Sequence, residues 1–177
     1  LKEVNQKIIL NYFNNLKSND ISTKTSDDDF VSIADKKSEE LICKKLSGFL
    51  NIKKIIGEEA SYINNKEYIT LLNEPLVWVV DPIDGTKNYI NGKDTFCSMI
   101  SLVSFSIPIA TFIYYPLKNI YVYAFKGFGA YSMNIHTNKI TKLSINQTTP
   151  KLILGSGGTK GIPDPYRKSI LDNLRNN

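Results

Sequence analysis

The stretch Val77-Trp78-Val79-Val80-Asp81-Pro82-Ile83-Asp84-Gly85-Thr86 changes character at its midpoint. Leu76 to Val80 is a continuous apolar run bounded by Pro75 and Asp81, and it reads as a buried strand. An apolar strand that stops at an aspartate brings that carboxylate out at the edge of a rigid sheet. Pro82 removes a backbone donor and stiffens the exit. Asp84 follows three residues after Asp81, close enough for both carboxylates to face one point. Gly85 permits close backbone approach, and Thr86 adds a hydroxyl. A helix that starts here would offer its free N–H groups to a phosphate.

Two converging carboxylates beside an anion site repel one another unless a cation sits between them. Mg²⁺ suits such a place, since it takes oxygen ligands and keeps water. Phosphatases with two metals use this arrangement to activate water and neutralise the leaving oxygen. Two further acidic elements lie upstream. Ile55-Ile56-Gly57-Glu58-Glu59 puts acids at the end of an apolar stub, and Ser32-Ile33-Ala34-Asp35-Lys36 puts Asp35 at an expected helix N-cap. Singly, each has an ordinary explanation: an Asp before a helix caps it, and a Glu pair is a solvated face. Together they meet several requirements of a catalytic site at once.

Outward from this block, two helical patterns precede it. Val4, Ile8, Tyr12 and Leu16, with Ile9 and Phe13 beside them, form one stripe. After a polar, loop-like segment from Lys17 to Asp29, a second pattern starts near Asp35 and uses Leu41, Ile42, Leu46 and Phe49 or Leu50, with Gly48 weakening its last turn. Lys54 to Ile56 is a short apolar stub before Gly57. Downstream, Ser98 to Ser104, Ile109 to Tyr115, Ile120 to Phe125 and Lys142 to Ile145 are strand candidates, separated by turn signals at Asn91-Gly92, Pro116 and Gly127 to Gly129. Two helices followed by closely spaced strands predict an α+β fold with a largely antiparallel sheet. Residues 1–149 are expected to form this metal-binding domain. At 150–177 a new α/β unit is expected to start and stay incomplete: Leu152 to Leu154 is strand-like, glycines follow, and a helix begins at Ser169.

Composition narrows the function. The chain has 177 residues, 42% of them hydrophobic and 22% charged, which excludes an extended disordered chain. No apolar run approaches the ~20 residues a membrane span needs. The net charge of +5 comes from scattered lysines in a Lys-, Asn- and Ile-rich sequence, so no nucleic-acid partner is expected. Cys43 and Cys97 are far apart, form no zinc spacing and read as small buried hydrophobes in a reducing, cytoplasmic setting. No signal peptide is visible. The chain opens on Leu1 rather than Met, which reads as an N-terminus lost to processing or truncation. The sole histidine, His136, sits in a polar stretch and is expected at the surface.

The string Asp81-Pro82-Ile83-Asp84-Gly85-Thr86 resembles the signature of the inositol monophosphatase family of lithium-sensitive, Mg²⁺-dependent phosphatases. Gly57-Glu58-Glu59 and Ala34-Asp35-Lys36 resemble that family's two upstream motifs, in order and at similar separations, and the likeness runs from the first helix to about Gly158. The resemblance implies a layered α/β/α/β/α sandwich of the sugar-phosphatase type, with its second layer truncated here. It implies two or three Mg²⁺ ions per site. Glu58, Asp81 and the Ile83 carbonyl would bind one, and Asp81 and Asp84 would share another. Thr86, with Asp35 behind it, would orient the attacking water. Asp84 and the N–H groups of Gly85 and Thr86 would hold the phosphate. Family members carry a further Trp-Asp motif in their C-terminal part. This chain's one Trp, Trp78, precedes a different motif, so a fragment is expected, inactive on its own.

The reaction implied is hydrolysis of a small phosphate monoester. Inositol monophosphate is the first choice, because the Lys126-Gly127-Phe128-Gly129-Ala130-Tyr131 segment looks like the monophosphatase branch. Histidinol phosphate, a 3′(2′),5′-bisphosphate nucleotide and fructose bisphosphate stay open. So does a non-catalytic module that binds metal or phosphate. The family often dimerises, and the sequence marks no dimer surface. Haloacid-dehalogenase-like phosphatases fit less well: their paired aspartates are two residues apart, and Glu58 has no role there. Ser156 among its glycines lacks the spacing of a Walker phosphate loop.

Overall fold

Alternation along the strand that ends in the acidic block decides what each face of the sheet meets. The computed structural model describes residues 1–24, 29–61 and 70–144. Strand β4 (Val77–Asp84) lies between β3 (Ile55–Gly57) and β5 (Cys97–Ser104). The sheet continues through β6 (Ile107–Tyr115), β7 (Ile120–Phe125), β8 (Gly129–Asn134) and β9 (Ile140–Leu143), in sequence order. β3 pairs with β4 in parallel, and every other neighbouring pair is antiparallel. A separate hairpin-like pair, β1 (Ile21–Thr23) and β2 (Phe30–Ser32), leads into the long helix α2 (Ile33–Ser47).

Trp78 and Val80 share one face and pack with Leu102 and Ala110 against Ile42 and Leu46 of α2 and Val4 near the N-terminus. Val77 and Val103 take the opposite face with Ile56. A smaller cluster of Ile9, Ala34, Ile83, Tyr89 and Phe96 sits under the end of β4. Its Tyr89 belongs to the short helix α4 (Thr86–Ile90), and the tyrosine hydroxyl donates to the Ile9 carbonyl at 2.7 Å.

Several expectations shift. α1 is built from Lys2–Val4, a π-helical segment Asn5–Ile9 and Leu10–Tyr12. The wider π turn rotates the stripe so that Val4, Asn5 and Ile9 are fully buried while Ile8 is not. Phe13 is extended and Asn14 has φ 61°, so Leu16 lies beyond the helix. The segment expected as loop from Lys17 to Asp29 contains a 3₁₀ turn and β1. Asp35 is not the N-cap of α2: Ser32 is, because its hydroxyl accepts from the Ala34 N–H while Asp35, three residues on, accepts from the Ser32 N–H at 2.8 Å. β9 runs Ile140–Leu143, starting before the strand expected from Lys142, and Ile145 lies outside the described residues. β8 was not expected, because its polar and small residues hide the alternation. Pro108 fits inside β6 where the register with β5 shifts, at a point where the ladder forgoes its N–H. Cys97 is buried, but Cys43 is only half-buried.

Close contacts divide the chain into Leu1–Ser144 and Ile145–Asn177. The second unit lies outside the described residues. So do the strand-like Leu152 to Leu154, the glycine-rich Gly155 to Gly158 and the helix expected from Ser169. Among the described residues no helix is long and apolar enough to cross a membrane.

Candidate active site

The end of β4 carries the site because the strand is forced out of register there. Asp81 pairs with Met99 and Asp84 with Cys97, so two residues, Pro82 and Ile83, bulge opposite the single Ser98. Ser98 fills the gap. Its hydroxyl donates to the Pro82 carbonyl at 2.7 Å and accepts from Asn5 Nδ2 at 2.9 Å, all of it buried. The π segment of α1 therefore props the bulge, and neither Asn5 nor Ser98 was singled out from sequence. A polar residue in an apolar stripe is the one signal Asn5 offers.

Past the bulge the chain turns sharply. Gly85 has φ +88° and caps α4, and a Cβ there would come within 2.9 Å of the Thr95 carbonyl oxygen. Thr86, the first residue of α4, points its hydroxyl back, 2.9 Å from the Ile83 carbonyl and 3.1 Å from Asp35 Oδ1. Asp35 is fully buried, and burial pushes its carboxyl above the usual range against the pull of Ser32 and Thr86. Asp84 is exposed, and the Cys97 thiol donates to it over 3.7 Å. Burial, then the neighbouring Asp84 and Asp81, push that thiol up to about 12, so Cys97 is no nucleophile.

The second acidic element reaches the same place. Glu58 and Glu59 open the short helix α3 (Glu58–Ser61), directly after β3. Lys24, at the end of β1, donates to Glu58 Oε1 and Glu59 Oε1, each at 2.8 Å, and its side chain is only 7% exposed. Burial by itself would lower this ammonium's pKa, but the two carboxylates hold it above its usual value. Glu39 of α2, 6% exposed, accepts from the Glu59 N–H at 2.7 Å and the Ala60 N–H at 2.9 Å. Lys24 and Glu39 were both passed over in sequence. The signal for Glu39 was its spacing of four from Asp35, which puts two acids on one helix face.

Asp81 shows what the cluster lacks. Its Oδ1 is buried and has no hydrogen-bond partner among the described residues. Burial, then Glu58 and Asp84, push its carboxyl up to about 8. An orphaned, crowded carboxylate oxygen amid all-oxygen donors fits a hard divalent cation. Among the described residues no group of three or more His, Cys, Asp or Glu side chains is placed so as to hold a metal ion by itself. Mg²⁺ does not require one, because it keeps several waters.

Fold and site together define an α+β unit, helices on a largely antiparallel sheet, with an acidic centre at the end of β4. The sequence profile of the inositol monophosphatase family matches residues 1–174, and the chain belongs to that family. It is 32% identical over 165 residues to the fructose-1,6-bisphosphatase/inositol-1-monophosphatase of Aquifex aeolicus, covering 93% of this chain and 56% of that protein. It is 34% identical over 179 residues to the inositol monophosphatase of Dictyostelium discoideum, covering 99% of this chain and 63% of that one. The solved Thermotoga maritima IMPase superposes with a TM-score of 0.63 at 23% identity, over 75% of this chain and 47% of that structure. The chain spans about half the length of the curated relatives it matches.

Proposed function

We propose that this chain carries the metal- and phosphate-binding part of a Mg²⁺-dependent phosphomonoesterase acting on a small metabolite. The observation that carries the reading is the orphaned Oδ1 of Asp81, crowded by Glu58 and Asp84. Glu58, Asp81, Asp84 and the Ile83 carbonyl would hold the metal. When bound, Mg²⁺ supplies charge for the developing oxyanion and lowers the pKa of coordinated water.

The protein's own groups do the rest. The Thr86 proton lies between two acceptors, Asp35 and the Ile83 carbonyl. Its oxygen lone pairs are therefore left to accept a hydrogen bond from a water beside the phosphate, and any proton taken from that water would be matched by passing the hydroxyl's own proton to Asp35. Asp35, buried and fixed by Ser32, keeps that hydroxyl from rotating. The N–H groups of Gly85 and Thr86 open α4, where the first N–H groups have no partner within the helix and suit phosphate oxygens. Ser98 and Asn5 hold the bulge that gathers these groups at the end of β4.

Inositol monophosphate is the preferred substrate, in keeping with the names of both relatives. Fructose bisphosphate has support from the first of them. Histidinol phosphate and a 3′(2′),5′-bisphosphate nucleotide are the remaining choices, and a homodimer in the cytoplasm is the proposed setting. The test is phosphate release by the complete reading frame on these four substrates, with and without Mg²⁺. Mg²⁺-dependent release that Asp81→Asn abolishes supports the reading and names the substrate. No release from any, with folding and Mg²⁺ binding intact, favours a binding module instead.

A further inference from the structure

Asp35 and Glu39 lie one turn apart on the buried face of α2, and each reaches a different acidic element of the site. Asp35 meets Thr86, at the start of α4. Glu39 spends both carboxylate oxygens on two successive N–H groups, those of Glu59 and Ala60, at the start of α3. The first residue of that helix is Glu58.

First-turn N–H groups lack partners within their helix and favour a carboxylate. The residue just before a helix usually supplies the acceptor. Here that position is Gly57, which has no side chain to offer. It also has no room for one, since a Cβ on Gly57 would overlap the Glu39 carboxyl group. The cap therefore comes from α2, across a tertiary contact. A carboxylate this buried is costly unless it is hydrogen-bonded, and the two N–H groups meet that need. One rigid helix thus registers Glu58 against Thr86.

We infer that Glu39 is a positioning residue: it aims Glu58 through the start of α3 and so sets the affinity of the site for its divalent cation. The inference rests on reading Glu58 as a metal ligand. A carboxylate with a purely structural role would affect stability and leave the metal affinity of the folded chain unchanged.

The test uses the 177-residue chain with Mg²⁺ alone as the probe. Glu39→Gln keeps the size but turns an amide NH₂ toward one of the two N–H groups. Calorimetry should give a Mg²⁺ dissociation constant raised about ten-fold or more, the usual cost of losing a partner behind a metal ligand. The Glu59 and Ala60 amides should exchange faster with deuterium, while circular dichroism stays that of wild type. Gly57→Ala pushes the Glu39 carboxylate aside and should reproduce the loss, and the two changes together should cost less than their product. It also carries the test if Glu39→Gln does not fold. Glu40→Gln, on the exposed side of α2, should leave the affinity unchanged. A folded Glu39→Gln or Gly57→Ala chain that binds Mg²⁺ like wild type overturns the inference alone. A wild-type chain that binds no Mg²⁺ overturns the metal reading of Glu58, and this inference with it.

Discussion

Thr86 and Asp35, 51 positions apart in sequence, meet through a hydroxyl–carboxylate contact of 3.1 Å that ties the start of α4 to the first turn of α2. Asp35 also secures Ser32, so one buried carboxylate both closes the capping box of α2 and orients a hydroxyl. This makes Asp35 a poor probe of chemistry, because its loss disturbs both.

Thr86 separates the two roles. Thr86→Val keeps the shape and removes the proton acceptor. In the complete reading frame, turnover at saturating Mg²⁺ should fall by roughly 10²–10³-fold, the scale of a lost proton-transfer partner. Stability should drop by only about 1 kcal/mol. Thr86→Ser should recover most of the rate. A Val variant within a few-fold of wild type would mean that this hydroxyl does not handle the proton of the attacking water.

Acid crowding at Asp81 makes the metal-free chain sensitive to pH. Its carboxyl is raised to about 8 when folded, first by burial and then by Glu58 and Asp84. In the unfolded chain it titrates near the ordinary value of about 4. Between those limits the folded state holds the proton and the unfolded state does not, so stability falls as pH rises through that window. Melting of the metal-free chain should therefore drop from pH 5 to pH 8. Asp81→Asn should flatten the slope and raise the pH 8 midpoint, by roughly 2–4 °C for each kcal/mol recovered in a domain of this size. An Asn variant that melts lower than wild type at pH 8 would argue against crowding.

The Tyr89 hydroxyl donates to the Ile9 carbonyl inside the cluster under β4, and that carbonyl also accepts from the Phe13 N–H at 3.0 Å. Tyr89→Phe leaves the acceptor with a partner, so the cost should be close to 1 kcal/mol in chemical denaturation. A loss above about 3 kcal/mol would indicate that α4 itself had detached from α1.

The site was legible where chemistry is local in the chain. The apolar run into Asp81-Pro82-Ile83-Asp84-Gly85-Thr86 announces a strand, an acid pair and a turn within ten residues, whereas the contact of Thr86 with Asp35 followed from the family resemblance and not from the local pattern. What stayed hidden depends on contacts between distant segments. Lys24 sits in a polar stretch with nothing to mark its meeting with Glu58, 34 residues on. Asn5 and Ser98 become informative only once the bulge brings them within 2.9 Å of each other. The N-cap assignment failed for a different reason. Ser32 and Asp35 are both good capping residues, and only geometry shows that the serine caps while the aspartate closes the box behind it.

The most direct measurement is calorimetric titration of the 177-residue chain with Mg²⁺ at pH 7, in two buffers of different ionisation enthalpy. Because Asp81 is raised to about 8, binding should release protons, and the apparent heat should differ between the buffers. Asp81→Asn should abolish both the binding and the difference. Mg²⁺ binding that Asp81→Asn leaves unchanged, or no binding by the folded wild-type chain, would contradict the assignment of a metal centre to the end of β4.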